Sequence, residues 1–133
     1  VRERKLGLTF DSSQGFDLAS GDIVEPDVSF VSSERWSTLA KPIRGFLKVT
    51  PDLVFEVLSP NTSRIDKKQK KRIYARNGVL EYVLVDPVSE SFEVFPLEAE
   101  TYRTGRSLSA DETFASCVLP GFEIRVADVF FNE

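Results

Sequence analysis

One acidic residue interrupts an otherwise apolar segment and is the first candidate for chemistry. The segment runs from residue 53 to residue 58, and it carries Glu56 where an apolar side chain is expected. A carboxylate inside a buried strand is costly unless a donor or a cation compensates it. Asp27 stands at the start of an earlier apolar segment, directly after a proline. If the two segments pair as neighbouring strands, their carboxylates meet and offer the oxygen ligands that Mg²⁺ or Mn²⁺ prefers.

The same two acids also fit a purely structural interpretation. Asp27 follows Pro26 and can be a turn residue, whereas Glu56 can face solvent near the end of its strand. The spacing alone does not decide between these interpretations. A structure that places the two carboxylates on opposite faces of a sheet would exclude the metal site.

A strongly basic segment follows the strand that carries Glu56. Residues 64–76 contain seven basic side chains and one acid, so this segment carries +6 and the rest of the chain −4 − 6 = −10. On a helical wheel of about 100° per residue, Lys70 falls on the stripe marked by Ile73 and Tyr74, which should face the sheet. An inward lysine requires a carboxylate or phosphate partner. The outward side holds Lys68, Lys71 and Arg72, and Lys67 lies at the border.

The composition excludes several classes of site. The chain has no histidine, which excludes His-based catalytic triads and His-ligated metals. Its single cysteine, Cys117, excludes an internal disulfide and a Cys₄ zinc site, and we interpret it as a small buried side chain. The net charge of −4 excludes a globally basic nucleic-acid binder but leaves room for a local basic patch. No membrane segment or signal peptide is visible, so we expect a cytoplasmic protein without a membrane partner.

The secondary-structure elements predicted around the candidate residues indicate an α+β fold in one domain, residues 1–133. Because 41% of the 133 residues are hydrophobic, a core of ordinary size can form. A helix is predicted from about residue 63 to residue 77, ended by Gly78. Apolar runs, alternation and turn signals predict strands at 15–18, 23–24, 27–31, 53–58, 81–85 and 91–95. Weaker strands are predicted at 102–104 and within 114–124, and a short helix at 33–40.

Several of these segments together resemble the Uma-type family of restriction-endonuclease-like proteins. The resemblance is carried by residues 51–60, by Asp66, Lys70 and Tyr74, by residues 78–86, by the Pro-Asp strand at 24–31 and by the closing segment at 119–124. It covers nearly the whole chain. It implies the PD-(D/E)xK nuclease fold, which is a mixed central sheet flanked by helices.

The resemblance implies a metal-dependent endonuclease that hydrolyses phosphodiester bonds in DNA. Carried over by position, Asp27 is the motif aspartate and Glu56 is the second acid, and with the backbone carbonyl of Val57 they would hold Mg²⁺ or Mn²⁺. The motif lysine is expected two residues after Glu56, where Leu58 stands, so its role passes to Lys70 on the following helix. The residues then expected to contact nucleic-acid phosphates are Lys67, Lys68, Lys71 and Arg72.

One further departure from the family pattern and two other functions stay open. Family members usually begin with a hairpin and a long helix, so we expect residues 1–8 to be the end of that helix and its exit, with the N-terminal part missing. The chain could instead be an inactive binding module for nucleic acid or protein, or a structural subunit that assembles through exposed strands and its apolar tail. We expect a homo-oligomer, most simply a dimer. The joint presence of Asp27, Glu56 and Lys70 favours the nuclease, because an inactive scaffold needs no such combination.

Overall fold

The fold is organised around a seven-stranded mixed sheet, in a computed structural model that describes residues 6–39, 45–61 and 64–130. The elements are β1 (Gly7–Asp11), β2 (Phe16–Asp17), β3 (Ile23–Val24), β4 (Val28–Ser32), α1 (Ser33–Trp36), β5 (Leu53–Val57), α2 (Arg64–Arg76), β6 (Glu81–Asp86), β7 (Ser91–Glu98), β8 (Thr101–Tyr102), β9 (Arg106–Leu108), β10 (Thr113–Ala115), β11 (Glu123–Arg125) and α3 (Val126–Phe130).

The main sheet has the strand order β1-β4-β5-β6-β7-β8, and β9 also pairs with β7. Within it β5 and β6 are parallel, and every other pairing is antiparallel. The β2–β3 and β10–β11 pairs form two separate small sheets among the described residues. The expected α+β arrangement with a mixed sheet is therefore confirmed.

The register between β4 and β5 places the two candidate acids side by side. Val28 is paired with Phe55 and Ser29 with Val54, so Asp27 precedes β4 at the level of Glu56. Since side chains alternate along a strand, Asp27, Ser29, Val54 and Glu56 belong to one face of the sheet.

Two cores cover the two faces of the sheet. The helix-side core, beneath α2, consists of Phe16, Leu18, Val24, Val31, Leu47, Val49, Val54, Tyr74, Val79, Tyr82, Leu84 and Phe95. The hairpin-side core, beneath β10, β11 and α3, consists of Phe30, Leu53, Val83, Val85, Phe92, Val94, Leu108, Phe114, Leu119 and Val126. Glu56 therefore projects toward the same side as α2.

Helix α2 ends in a Schellman motif, as the glycine predicted. Gly78 has φ of 87°, and its N–H donates to the carbonyl of Ala75 at 3.1 Å. The N–H of Val79 donates to the carbonyl of Tyr74 at 3.0 Å, and both side chains are buried in the helix-side core. This stop turns the chain directly into β6, which fixes where α2 lies over the sheet.

Gly7 and Leu8, in the predicted exit from an N-terminal helix, begin β1, an edge strand that pairs with β4. A side chain at Gly7 would collide with the Val31 carbonyl and the Phe30 ring, so the glycine allows this close approach. Residues 1–5 lie outside the described residues, as does residue 40 of the predicted short helix, which ends at Trp36.

Two exposed valines mark an incompletely covered corner of the sheet. Val28 and Val57, on the hairpin side, are 44% and 49% exposed. In the described ranges, no helix is both long and apolar enough to cross a membrane.

Arg35 connects three segments at the end of the sheet opposite Glu56. Its guanidinium donates to the carbonyls of Thr50, Pro51 and Gly78 at 3.0–3.2 Å. Its Nε lies 3.3 Å from Oδ2 of Asp52, a residue that is only 5% exposed. The arginine therefore ties α1 to the start of β5 and to the end of α2.

We expect Arg35→Ala to lower the free energy of unfolding by about 3–5 kcal/mol, because it leaves the buried Asp52 carboxylate without its cation. Urea unfolding measures the change. Arg125→Ala is the matched control, since Arg125 is exposed on β11 and its loss should cost within about 0.5 kcal/mol. Equal losses in the two variants would contradict a structural role for Arg35.

Candidate active site

The crossover from β5 through α2 brings Glu56, Tyr74 and Lys70 together. Glu56 is 7% exposed, so the alternative in which it faces solvent is wrong. The Tyr74 hydroxyl donates to Oε2 of Glu56 at 2.5 Å. Nζ of Lys70 lies 3.4 Å from the other oxygen, Oε1. The two carboxylate oxygens therefore have different partners, one neutral and one cationic, from successive turns of the same helix.

Lys70 reaches Glu56 without being buried. Its side chain is 51% exposed, whereas that of Glu56 is 9% exposed. The ammonium group thus lies where a buried carboxylate meets solvent. A cation in this position can contact Glu56 and an incoming anion at the same time.

Burial raises the pKa of Glu56 above its ordinary value. The hydrogen bond from Tyr74 and the charge of Lys70 both lower the pKa, and the nearby charge of Asp27 raises it, but burial dominates. Burial and the Glu56 charge also raise the pKa of Tyr74, so the tyrosine keeps its proton and acts as the donor.

Asp27 lies beside this group and is held by the backbone of β5. Its Oδ2 accepts a hydrogen bond from the N–H of Val57 at 2.7 Å. This bond fixes the carboxylate next to the strand that carries Glu56, on the same face by register. The two acids are therefore not on opposite faces, which was the arrangement that would have excluded a shared metal.

The donor atoms around Glu56 suit a hard divalent cation. Asp27 and Glu56 offer carboxylate oxygens, and Val57 adds a backbone carbonyl at the same end of β5. Among the residues that the structure describes, no group of three or more His, Cys, Asp and Glu side chains could hold a metal ion. A metal here would thus have two carboxylates at most from the described chain, with water and substrate oxygens completing its shell, as Mg²⁺ commonly has.

A cleft of about 310 Å³ opens on the Glu56 side of α2. It is lined by Glu56 and Val57 from β5 and by Lys67 and Lys70 from the helix. Asp27 is not part of its lining. Of the candidate phosphate-binding residues, only Lys67 faces this cleft, while Lys68, Lys71 and Arg72 line a depression along the other flank of α2.

The prediction that Lys71 points away from the sheet is wrong. Lys71 is half-buried, and its Nζ lies 4.0 Å from the centroid of the Phe95 ring on β7. The long apolar stem of a lysine can cover an aromatic ring while the ammonium stays at the surface. The helical wheel assigned only one stripe of α2 to the sheet and therefore did not predict this contact. The sheet continues through β7 and β8 beneath the flank of α2 that carries Lys71.

Cys117 and Glu81 form a second acidic feature on the hairpin side. Cys117 is exposed, so its interpretation as a buried side chain is wrong. Although the residue is exposed at the surface, partial burial of its thiol group and the neighbouring Glu81 raise the pKa of Cys117 to about 11, which keeps it a poor nucleophile. Glu81 is 2% exposed and accepts hydrogen bonds from Ser116 Oγ at 2.7 Å and from the Cys117 N–H. Sequence reasoning missed this buried acid, which is the first residue of the apolar strand β6.

Replacing Glu56 by glutamine should make stability less sensitive to pH. Because the folded pKa of Glu56 is raised, the folded chain binds this proton more tightly than the unfolded chain. Wild-type stability should therefore fall as pH rises from the ordinary glutamate pKa through the raised one. Glu56→Gln should gain stability relative to wild type across that window and level off above it.

Urea unfolding from about pH 4 to about pH 8 in the presence of a chelator measures this difference. Glu25→Gln, at an exposed position, is the control substitution. A stability difference between Glu56→Gln and wild type that does not change with pH would contradict the raised pKa.

Comparison with known proteins agrees with this fold. A family model named Uma2 and described as "Putative restriction endonuclease" matches residues 1–127. A crystal structure of a "putative nuclease belonging to DUF820" from Anabaena variabilis ATCC 29413 superposes with a TM-score of 0.75. It is 18% identical in sequence, and the alignment covers 98% of this chain and 71% of that one. No curated protein matches the chain significantly. Since the family model spans nearly all of the sequence, the chain belongs to the Uma2 family and has a restriction-endonuclease-like fold.

Proposed function

We propose that this chain is an endonuclease that hydrolyses phosphodiester bonds in DNA with the help of Mg²⁺ or Mn²⁺. The observation that carries the proposal is the half-exposed Lys70 paired with the buried Glu56 at the mouth of a cleft. The Uma2 membership supports nuclease chemistry in general, whereas the metal and the DNA substrate are proposed from the site.

Each residue of the site has a distinct proposed task. Asp27, Glu56 and the Val57 carbonyl would hold the metal, which when bound supplies neutralising charge at phosphorus and lowers the pKa of a water ligand. Tyr74 fixes Oε2 of Glu56 through its hydroxyl, so the carboxylate cannot rotate freely. Lys70 orients the attacking water and stabilises the negative charge that develops on the phosphate oxygens.

The position of Lys70 makes it suited to this step. Its ammonium contacts Oε1 of Glu56 at 3.4 Å, which is a weak bond, so it can shift toward a phosphate without leaving the acid entirely. The other side of the ammonium faces solvent, from which the substrate enters. Lys67 lines the same cleft and can contact a neighbouring phosphate.

A second candidate is an inactive binding module on the same scaffold. The observation that favours it is the Asp27 carboxylate, which already binds the Val57 N–H and does not line the cleft. An acid used only in this way would stabilise the sheet without holding a metal. The expected compartment remains the cytoplasm, and a homo-oligomeric state remains a prediction.

Lys70→Ala should lower single-turnover cleavage by about 100-fold or more while changing DNA affinity little. A cation that acts mainly in the transition state contributes to rate more than to binding. Lys48→Ala is the matched control, because Lys48 pairs with Asp17 and does not line the cleft. Normal cleavage by Lys70→Ala would transfer the role to Lys67.

Cleavage of supercoiled plasmid should require Mg²⁺ or Mn²⁺ and stop when a chelator is added. Glu56→Gln should also stop it, and excess metal should restore it only in part, because a charged ligand has been replaced by a neutral one. Plasmid nicking and linearisation on gels measure both effects. Absence of cleavage by the wild type with either metal would favour the inactive binding module.

A further inference from the structure

A second groove runs along α2 beside the candidate active site, and its charge is opposite to that of the whole chain. It has a volume of about 680 Å³ and lies between α2 and residues 102–105. Four basic side chains and one acid line it, which gives +3 in a chain whose net charge is −4. They are Lys67, Lys68, Lys71, Arg103 and Glu93.

The groove is continuous with the cleft that holds Glu56. The two share Lys67 and Leu84 in their linings. At its other end, the groove shares Lys68 and Lys71 with a depression that adds Arg72 and Arg76. From residue 67 to residue 76 the helix rises about 13.5 Å, so its basic side chains extend the groove along most of α2.

The aromatic side chains of the groove offer little surface to a nucleic-acid base. Phe95 is 5% exposed, and the ammonium of Lys71 covers its ring at 4.0 Å. Tyr102 stacks on Tyr82 with ring centroids 5.7 Å apart, and its hydroxyl donates to the Val79 carbonyl at 2.8 Å. The groups left for a ligand are therefore cations, which bind phosphate without distinguishing bases.

We propose that this groove holds the sugar-phosphate backbone of a single nucleic-acid strand on one side of the bond to be cut. The proposal rests on the nuclease function proposed above, because the groove opens into the Glu56 cleft. Cations line the groove on both sides, from α2 and from Arg103, so a single backbone lying between them can be contacted from two sides. Recognition through phosphate predicts similar binding of DNA and RNA strands of any sequence.

The test compares two double variants that lose the same charge. Lys68→Ala with Arg103→Ala removes one cation from each wall of the groove. Within the described ranges the Arg103 side chain otherwise makes only an exposed ion pair with Glu98 at 3.8 Å, so its loss should cost little stability. Lys48→Ala with Arg125→Ala removes two exposed cations outside the groove and is the control.

Fluorescence anisotropy with a labelled random-sequence DNA strand is measured over a range of salt concentrations. A chelator is present throughout, so cleavage plays no part. Each lost phosphate contact lowers the log–log salt slope by about 0.7 on a single strand, so the groove variant should lose about 1.4 and the control nothing. An RNA strand of the same sequence should behave like the DNA strand, and a hairpin duplex should bind more weakly.

The proposed binding groove would be contradicted if the salt slope of the groove variant were unchanged, or if the control variant lost as much salt slope as the groove variant. It would also be contradicted if the wild type bound the duplex more tightly than the strand, or did not bind the strand at low salt. The cleavage assay is separate. Strand binding with the expected slope in a chain that never cleaves would support the groove and contradict the nuclease. Cleavage by the wild type, together with an unchanged salt slope in the groove variant, would support the nuclease and contradict the groove.

Discussion

The parallel pairing of β5 with β6 is the constraint on which the rest of the structure depends. Two parallel neighbours cannot be joined by a tight turn, so the chain must cross over, and here it crosses as α2. The crossover places the helix over one face of the sheet, at the strand that carries Glu56. A helix in that position presents Lys70 and Tyr74, one turn apart, to the same carboxylate. The candidate site is therefore a consequence of topology as much as of residue choice.

The two buried glutamates of the sheet differ in their hydrogen-bond partners, and this difference distinguishes a structural acid from a candidate catalytic one. Glu81 on β6 is satisfied by the Ser116 hydroxyl and the Cys117 N–H, which belong to a turn on the hairpin side. These neutral partners stabilise the turn and offer nothing to a substrate. Glu56 on β5 has a lysine partner that is half exposed and shared with a cleft. Both acids are costly to bury, but of the two only Glu56 combines a buried carboxyl group with a half-exposed cation.

The sequence predicts those elements whose signals are local. The apolar run of β5, the glycine stop of α2 and the hairpin between β6 and β7 all match the structure, because burial on both faces and turn chemistry leave clear patterns. Strand β1 was missed because an edge strand exposes much of its surface and its pattern is weak. Lys71 over Phe95 and the partners of Glu81 could not be predicted, since both depend on segments far apart in the chain.

Charge separation along the chain explains how an acidic protein could still act on a polyanion. Residues 64–76 carry +6 and the rest carries −10, and the groove beside α2 keeps a local +3. At physiological salt, charges are screened beyond about 8 Å, so a phosphate in the groove interacts mainly with Lys67, Lys68, Lys71 and Arg103 rather than with the acidic remainder. The acidic remainder repels a strand that approaches elsewhere. The basic groove would attract a strand while the acidic surface around it repels the strand. Together these two effects would direct the strand past Lys67 toward Lys70 and Glu56. A uniformly basic surface would attract the strand everywhere and could not direct it in this way.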